Sequence, residues 1–247
     1  MDLAIIVIIG AVAGSFLTAL TWRFDRPLTM ITGRSVCPHC SHRLAAAELV
    51  PLISFIWQKG RCQSCQAAIS WRYPIIEGLT IAVMLILYWQ WGLTFDFVLA
   101  GLIALGLLAL FIVDAEHQLV SDLFVIMTAV AIFLGHWRWG GDFWSWVLGA
   151  LFGALFFFIQ YIVSSGRWVG GGDIRLGALL GLLVGWPLML VTVFGAYVIG
   201  ALVTLPWLLQ GRLSRTSAVP FGPFLIIAAA ATLLWGPAII NWYVSIL

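Results

Sequence analysis

Apolar stretches long enough to cross a bilayer recur along almost the whole chain, and they limit what it can fold into more than any other feature. The first runs from about 3 to 22 (LAIIVIIGAVAGSFLTALTW), and others follow at about 75–92, 97–113, 122–137 and 143–163. The run from 174 to 209 is too long for one crossing. Gly-Trp-Pro at 185–187 divides it into about 174–186 and 188–209, because Pro187 suits a turn or a helix start. The last stretch covers about 221–246. A crossing helix needs roughly 20 apolar residues, so the sequence predicts an all-α polytopic membrane protein with about eight transmembrane helices. Charged residues make up only 9% of the chain, against about 25% in soluble domains, which excludes an ordinary water-soluble fold. The first stretch has no basic region before it and no convincing small-residue cleavage site after it, so it reads as a retained helix and not a signal peptide.

Basic residues orient the bundle. Segment 23–74 holds Arg23, Arg26, Arg34, Arg43, Lys59, Arg61 and Arg72 against only Asp25 and Glu48. By the positive-inside rule this segment is cytoplasmic. Alternation over eight spans then puts loops 114–121, 164–173 and 210–219 on the same side, with Arg167, Arg175, Arg212 and Arg215 in them or at their helix ends. Eleven of the 12 basic residues fall on one side, Arg138 being the exception. A missed helix would scramble that pattern. The expected organisation is a first helix at 1–22, a cytoplasmic cysteine-loop domain at 23–74 and a seven-helix core at 75–247.

All four cysteines lie in that first loop, as Cys37-Pro-His-Cys40 and Cys62-Gln-Ser-Cys65, with 21 residues between the pairs. A two-residue gap lets one turn aim both sulfurs at one ion, and two such knuckles predict a tetrahedral four-thiolate zinc site. A loop of about fifty residues with little apolar core also needs a staple. Disulfides are disfavoured on a reducing cytoplasmic face, and a redox pair needs only one C-x-x-C. His39 and His42 are close enough to be alternative ligands, but four thiolates already complete the shell. A closed shell makes the zinc structural and not catalytic.

Among the 10 acids, Asp2, Asp25, Asp96 and Asp142 fall at helix ends or loops, and Glu48 falls in the cysteine loop. The informative ones are Glu77, Asp114, Asp122 and Asp173. Asp114 ends the third span and Asp173 opens the sixth, so both are expected at the cytoplasmic edge of the bilayer, at one depth, although 59 residues separate them. Neighbouring helices could bring the two carboxyls within a few Å. Like charges that close share one proton and titrate as a pair, the arrangement of aspartic proteases. Gly170, Gly171 and Gly172 precede Asp173; bare backbone there lets an extended peptide approach closely, and local unwinding is tolerated only beside a wet cavity. Taken alone, GGGD also fits an inter-helix loop with a capping Asp. Asp122 most simply caps the next helix, and Arg175 pairs either with a carboxylate or with lipid headgroups.

With these motifs in hand, the chain resembles the type IV prepilin peptidases, the GxGD-class aspartic proteases of the bacterial inner membrane. The resemblance runs through GSF at 14–16, CPHC at 37–40, PLISF at 51–55, GRCQSC at 60–65, ISWRYPIIE at 69–77, the Asp114 segment, GGGDIRLG at 170–177 and PFGPFL at 220–225. It implies cleavage of a short basic leader just after a glycine on prepilins or type II secretion pseudopilins, with Asp114 and Asp173 as the catalytic pair. It also implies N-methylation of the new N-terminus from S-adenosylmethionine, a function the family places near Gly60 and Arg61. The chain departs from the family at Ser121, where proline is usual before Asp122, and at Thr18, where asparagine is common. Asp122 is an alternative first carboxylate, eight residues on.

Expected partners are the prepilin substrate and the lipid bilayer, with no nucleic acid; oligomeric state is not readable from the sequence. A peptidase without methyl transfer, a zinc-stapled scaffold or methyltransferase, and a transporter are the competing readings. A transporter would place polar residues at the bilayer midplane and repeat internally, whereas here the informative acids gather at one face.

Overall fold

A computed structural model describes residues 2–24, 35–212 and 219–246. Asp25, Arg26, Arg34 and Arg215, which entered the charge pattern, lie outside the described residues. The chain divides into two compact units, Met1–Leu105 and Gly106–Leu247.

In the first unit, α1 (Asp2–Arg23) leads into the cysteine loop, which contains a 3-10 turn (Ala46–Leu49) and a short α2 (Ile53–Trp57). The chain then enters α3 (Arg72–Trp91) and the start of α4 (Phe95–His117). Gly10 and Gly14 allow α1 and α3 to pack almost backbone to backbone. A Cβ at either glycine would sit 2.8 Å from the Cα of Ile81 or of Glu77. Close approach through small residues is the usual way helices associate where burial from water provides no drive. Arg72 locks the pair at one end, donating to the Thr18 carbonyl at 3.2 Å and the Thr21 hydroxyl at 2.6 Å. At the far end Ile6, Met84 and Phe97 form a small apolar core.

The second unit holds the rest of α4, α5 (Asp122–Trp139), α6 (Phe143–Ser164), α7 (Gly171–Val184), α8 (Leu188–Leu209) and α9 (Gly222–Ile246). Among the described residues all eight expected helices are present, and seven are long and apolar enough to cross a membrane. The exception is α7, whose 14 residues reach only about 21 Å at 1.5 Å per residue, short of the roughly 30 Å hydrocarbon core. It starts at Gly171, three residues before the apolar stretch. Its buried face is Leu176, Gly177, Leu179, Leu180, Gly181 and Val184. Two G-x-x-x-G pairs, Gly149/Gly153 on α6 and Gly177/Gly181 on α7, face each other so closely that a Cβ on Gly149, Gly153 or Gly181 would strike the carbonyl of the opposing glycine. α7 is thereby pinned by packing that admits no side chain. The Gly-Trp-Pro turn falls where expected, between α7 and α8, and the Trp186 amide donates to the Ser145 carbonyl at 2.8 Å.

Candidate active site

Four helix ends meet at one end of the second unit: the C-terminus of α4 and the N-termini of α5, α7 and α9. Asp114 is in the last turn of α4, with only 6% of its surface exposed. Its Oδ2 accepts the backbone N–H of Gly222, the first residue of α9, at 2.9 Å. First-turn amides have no partner within their own helix, so the start of α9 has a donor to spare for a carboxylate. Asp173 is the third residue of α7 and half-buried. Its Oδ2 accepts the Gly170 N–H at 2.8 Å, closing the first turn of its own helix. Asp114 lies within electrostatic range of Asp173, and the two share a neighbour: the space where Gly222 lacks a side chain is bordered by Asp114 Oδ2 and by Leu176, one turn beyond Asp173.

The three glycines before Asp173 differ from one another. Gly170 is the extended N-cap of α7, whereas Gly171 and Gly172 are helical and not unwound as expected. A Cβ on Gly172 would sit 2.6 Å from a methyl of Val120, in the link between α4 and α5. Gly171 is exposed, with nothing among the described residues within 4 Å of its missing Cβ. Arg175 forms an ion pair with Asp122 and so joins the starts of α7 and α5. Asp122 is exposed at the first position of α5, beyond Ser121 at the N-cap, and its partner is this arginine rather than the helix amides.

Sequence reasoning missed three residues here. Gly222 was visible only as part of PFGPFL, and the clue was a glycine followed by proline at a helix start, where an N–H is left free. Tyr197 on α8 lies within electrostatic range of Asp173, donates to Gln160 Oε1 at 2.8 Å and packs against Phe221. Neither Tyr197 nor Gln160 gave a signal in sequence.

The cysteine loop forms a second site. Both knuckles have the same local geometry. Cys37 N–H donates to His42 O and Ser41 N–H to Cys37 O; Cys62 N–H donates to Ala67 O and Gln66 N–H to Cys62 O, all at 2.9 Å. Ser41 and Gln66 both adopt left-handed backbone, φ 57 and φ 59, a cost for non-glycine residues that the knuckle turns impose. The four Sγ atoms lie within 4.8 Å of one another, Cys37 and Cys65 at 3.9 Å. A tetrahedral thiolate shell with 2.3 Å bonds has sulfurs roughly 3.8 Å apart, so the four cysteines fit a metal ion. The Cys40 amide, chiefly, lowers the Cys37 thiol to about 7, against the effect of its burial. At Cys40 the His42 amide pulls down, but desolvation and the sulfurs of Cys65, Cys37 and Cys62 push it up to about 12. His42 turns instead to Glu48 Oε2, at 3.3 Å. Gly60, at φ 68, and Arg61 form the turn into the second knuckle.

Comparison with known proteins follows the same division of the chain. Residues 8–91 match the family model described as the bacterial peptidase A24 N-terminal domain, and residues 101–205 match the type IV leader peptidase family. A Bacillus subtilis protein named prepilin leader peptidase/N-methyltransferase is 32% identical across 98% of this chain and 98% of its own. Proteins of the same name from Aeromonas hydrophila (32% identical; 90% of this chain, 78% of its own) and Pseudomonas aeruginosa (29%; 97% and 92%) are also similar. No solved structure matches.

Proposed function

The chain belongs to the type IV leader peptidase family, and on that premise we propose that it removes the basic leader of type IV prepilins or related pseudopilins by cutting after a glycine. Asp114 and Asp173 form the catalytic pair. The observation that carries this reading is the pair's arrangement: two carboxyl groups from separate helices, each holding a helix-start N–H, within electrostatic range of each other. One carboxylate takes a proton from water as the water oxygen bonds to the scissile carbonyl carbon. The other, protonated, gives its proton to the carbonyl oxygen. The C–N bond of the tetrahedral intermediate then breaks, the leaving nitrogen collects the proton taken from water, and one hydroxyl of the intermediate returns its proton to the carboxylate that had given one up. These roles belong to the pair and not to either residue alone. Gly171 offers the peptide an unobstructed backbone, and the Asp122–Arg175 pair holds the surrounding helix ends. The distribution of basic residues argues that this end faces the cytoplasm in the bacterial inner membrane.

The metal is zinc and structural, since four thiolates leave it no open position. The cysteine-loop unit serves a second activity, methylation of the newly exposed N-terminus, with Gly60 and Arg61 setting the shape of the loop. S-adenosylmethionine, when bound, supplies the methyl group; the chain's own residues bind and orient the amine.

The test is to incubate purified protein with a synthetic prepilin leader peptide, with and without methyl donor, and weigh the products. Asp114→Asn and Asp173→Asn are each expected to abolish leader removal. Cleavage that survives both changes would falsify the hydrolase assignment. A product heavier by one methylene, seen only with donor, is expected for the second activity, and its absence would leave a peptidase without methyl transfer.

A further inference from the structure

The PLISF motif at 51–55 has no task in leader hydrolysis or in metal binding. It belongs to an uncharged run, Leu49 to Trp57 (LVPLISFIW), in which Ser54 is the only hydrophilic side chain. The run is too short to cross a bilayer, which takes roughly 20 residues. α2 forms within it, and Ile53, Ile56 and Trp57 fall on one face at helical spacing. A folded loop would be expected to bury such a face. Here Ile53 is 61% exposed, Ile56 74% and Trp57 82%. An apolar face left open in this way marks a protein or membrane interaction site.

Three observations point to lipid as its partner. The first is depth. Leu52, the N-cap of α2, donates its N–H to Glu77 Oε2 at 2.8 Å. It does so from left-handed backbone, φ 59, a conformation that costs a non-glycine residue. Glu77 lies five residues beyond Arg72, the first residue of α3, or about 7.5 Å further along the axis. The start of α2 is thus tied to a level inside the membrane-crossing helix, not above it. The second is continuity. The Phe55 ring packs on Trp71 at 5.0 Å. Trp71, Ile75, Leu79 and Ile86 then run down α3 as an exposed stripe, on the side away from the Glu77 and Ile81 backbone that meets α1. The third is composition. Trp57 and Trp71 flank the patch, and Lys59 and Arg61, both exposed, follow α2 directly. Tryptophan and basic side chains beside an apolar face are the make-up of segments that lie in the membrane interface.

We propose that α2 is an interfacial anchor, its Ile53, Ile56 and Trp57 face seated in the lipid leaflet where α3 begins. The cysteine loop is then held against the membrane surface. Gly60 N–H donates to Phe55 O at 2.9 Å and Ile69 N–H to Gly60 O at 2.7 Å, so the second knuckle hangs directly from the anchored helix. The proposal needs neither the peptidase nor the methyl-transfer reading.

The test places the photoreactive residue p-benzoylphenylalanine at Trp57, and separately at Ile56, in full-length protein reconstituted into vesicles of phosphatidylethanolamine and phosphatidylglycerol. The same residue at Ile86 on α3 is the hydrocarbon reference. Mass spectrometry after illumination reads the phospholipid adducts. Yields at 57 and 56 are expected within about threefold of the yield at 86. Yields below that range overturn the proposal, because the face then stands in water. Adducts with a second copy of the chain in place of lipid also overturn it. Adding Ile53→Asp and Ile56→Asp to the protein probed at Trp57 is expected to cut the adduct about 10-fold, since carboxylates are costly in hydrocarbon. An undiminished yield there shows a probe that samples lipid whatever the face, and overturns the proposal too. Should the probe at Trp57 prevent folding, seen as a lost unfolding transition, the probe at Ile56 decides.

Discussion

Replacing Gly222 with alanine displaces Asp114 without altering its chemistry. A Cβ on Gly222 falls 2.6 Å from Asp114 Oδ2, 3.0 Å from its Cγ and 3.0 Å from a Leu176 methyl. Ordinary contact begins near 3.4 Å, so something must move by about 0.8 Å. The start of α9 is poorly placed to yield, because Pro223, Leu225 and Ile226 are buried. The carboxyl therefore moves, and its 2.9 Å bond to the Gly222 N–H stretches or breaks. A hydrogen bond to a charged group is worth about 1.5–3 kcal/mol, and misplacing a reacting group by about 1 Å can cost on the order of 100-fold in rate. Cleavage by Gly222→Ala is expected to fall roughly 10- to 100-fold in kcat, with little change in KM. Initial rates on a leader peptide measure this, and thermal unfolding of the same sample shows that the fold survives. Gly171→Ala is the control: nothing among the described residues meets its Cβ, and alanine suits a helix better by about 1 kcal/mol. Any loss of activity there reports obstruction of the substrate. Wild-type cleavage by Gly222→Ala would refute the idea that the Gly222 amide sets the reactive position of Asp114.

Asp122→Asn should leave cleavage within about fivefold, because an exposed ion pair such as that with Arg175 is worth only about 0–1 kcal/mol; abolished cleavage would make Asp122 the first carboxylate in place of Asp114. Gly181→Val drives a branched side chain into the Gly149 carbonyl. Overpacking of this kind costs about 1–3 kcal/mol, so the unfolding temperature should drop by roughly 2–4 °C per kcal/mol, and an unchanged melt would mean the helices separate freely. Cys37→Ser removes a buried ligand and is expected to leave the protein without metal after dialysis against a chelator, while wild type retains one ion per chain. Equal metal content in the two proteins, read by atomic absorption, would count against the four-thiolate site.

The cysteine cluster and the helix order were legible because their causes are local. Each knuckle closes through backbone bonds spanning four or five residues, and apolar stretches report burial directly. The juxtaposition of Asp114 and Asp173 was legible for a topological reason, since alternating helices return the end of one and the start of another to the same side. Partners chosen by packing were harder to read. Gly222 lies 108 residues from the carboxylate it serves. The α6–α7 glycines showed their spacing of four but not which pair would face which. Glu48 looked like an ordinary loop acid because its burial is created by the walls that fold around it. Gly171 and Gly172 looked like a place to unwind; they are helical, with Asp173 closing the turn by bonding to Gly170.

These particulars share one physical origin. A chain with 10 acids among 247 residues has few polar side chains to spend on positioning one another. In hydrocarbon nearly every backbone N–H is consumed within its own helix, and the exceptions are the first-turn amides. Asp114 is held by the Gly222 amide at the start of α9, and Asp173 by the Gly170 amide at the start of α7. Glu77 is likewise held by the Leu52 amide at the start of α2, and Glu48 by the Ala45 amide ahead of the 3-10 turn. Leu52 and Ala45 show that such a donor needs no glycine, and a Cβ on Gly170 would sit in ordinary contact, 3.7 Å from Asp173 Oδ2; only at Gly222, where a Cβ would fall 2.6 Å from Asp114 Oδ2, does the carboxylate itself exclude a side chain. Gly222 is thus part of the polar machinery, and a substitution that merely adds a methyl there should perturb chemistry where the acid itself is untouched.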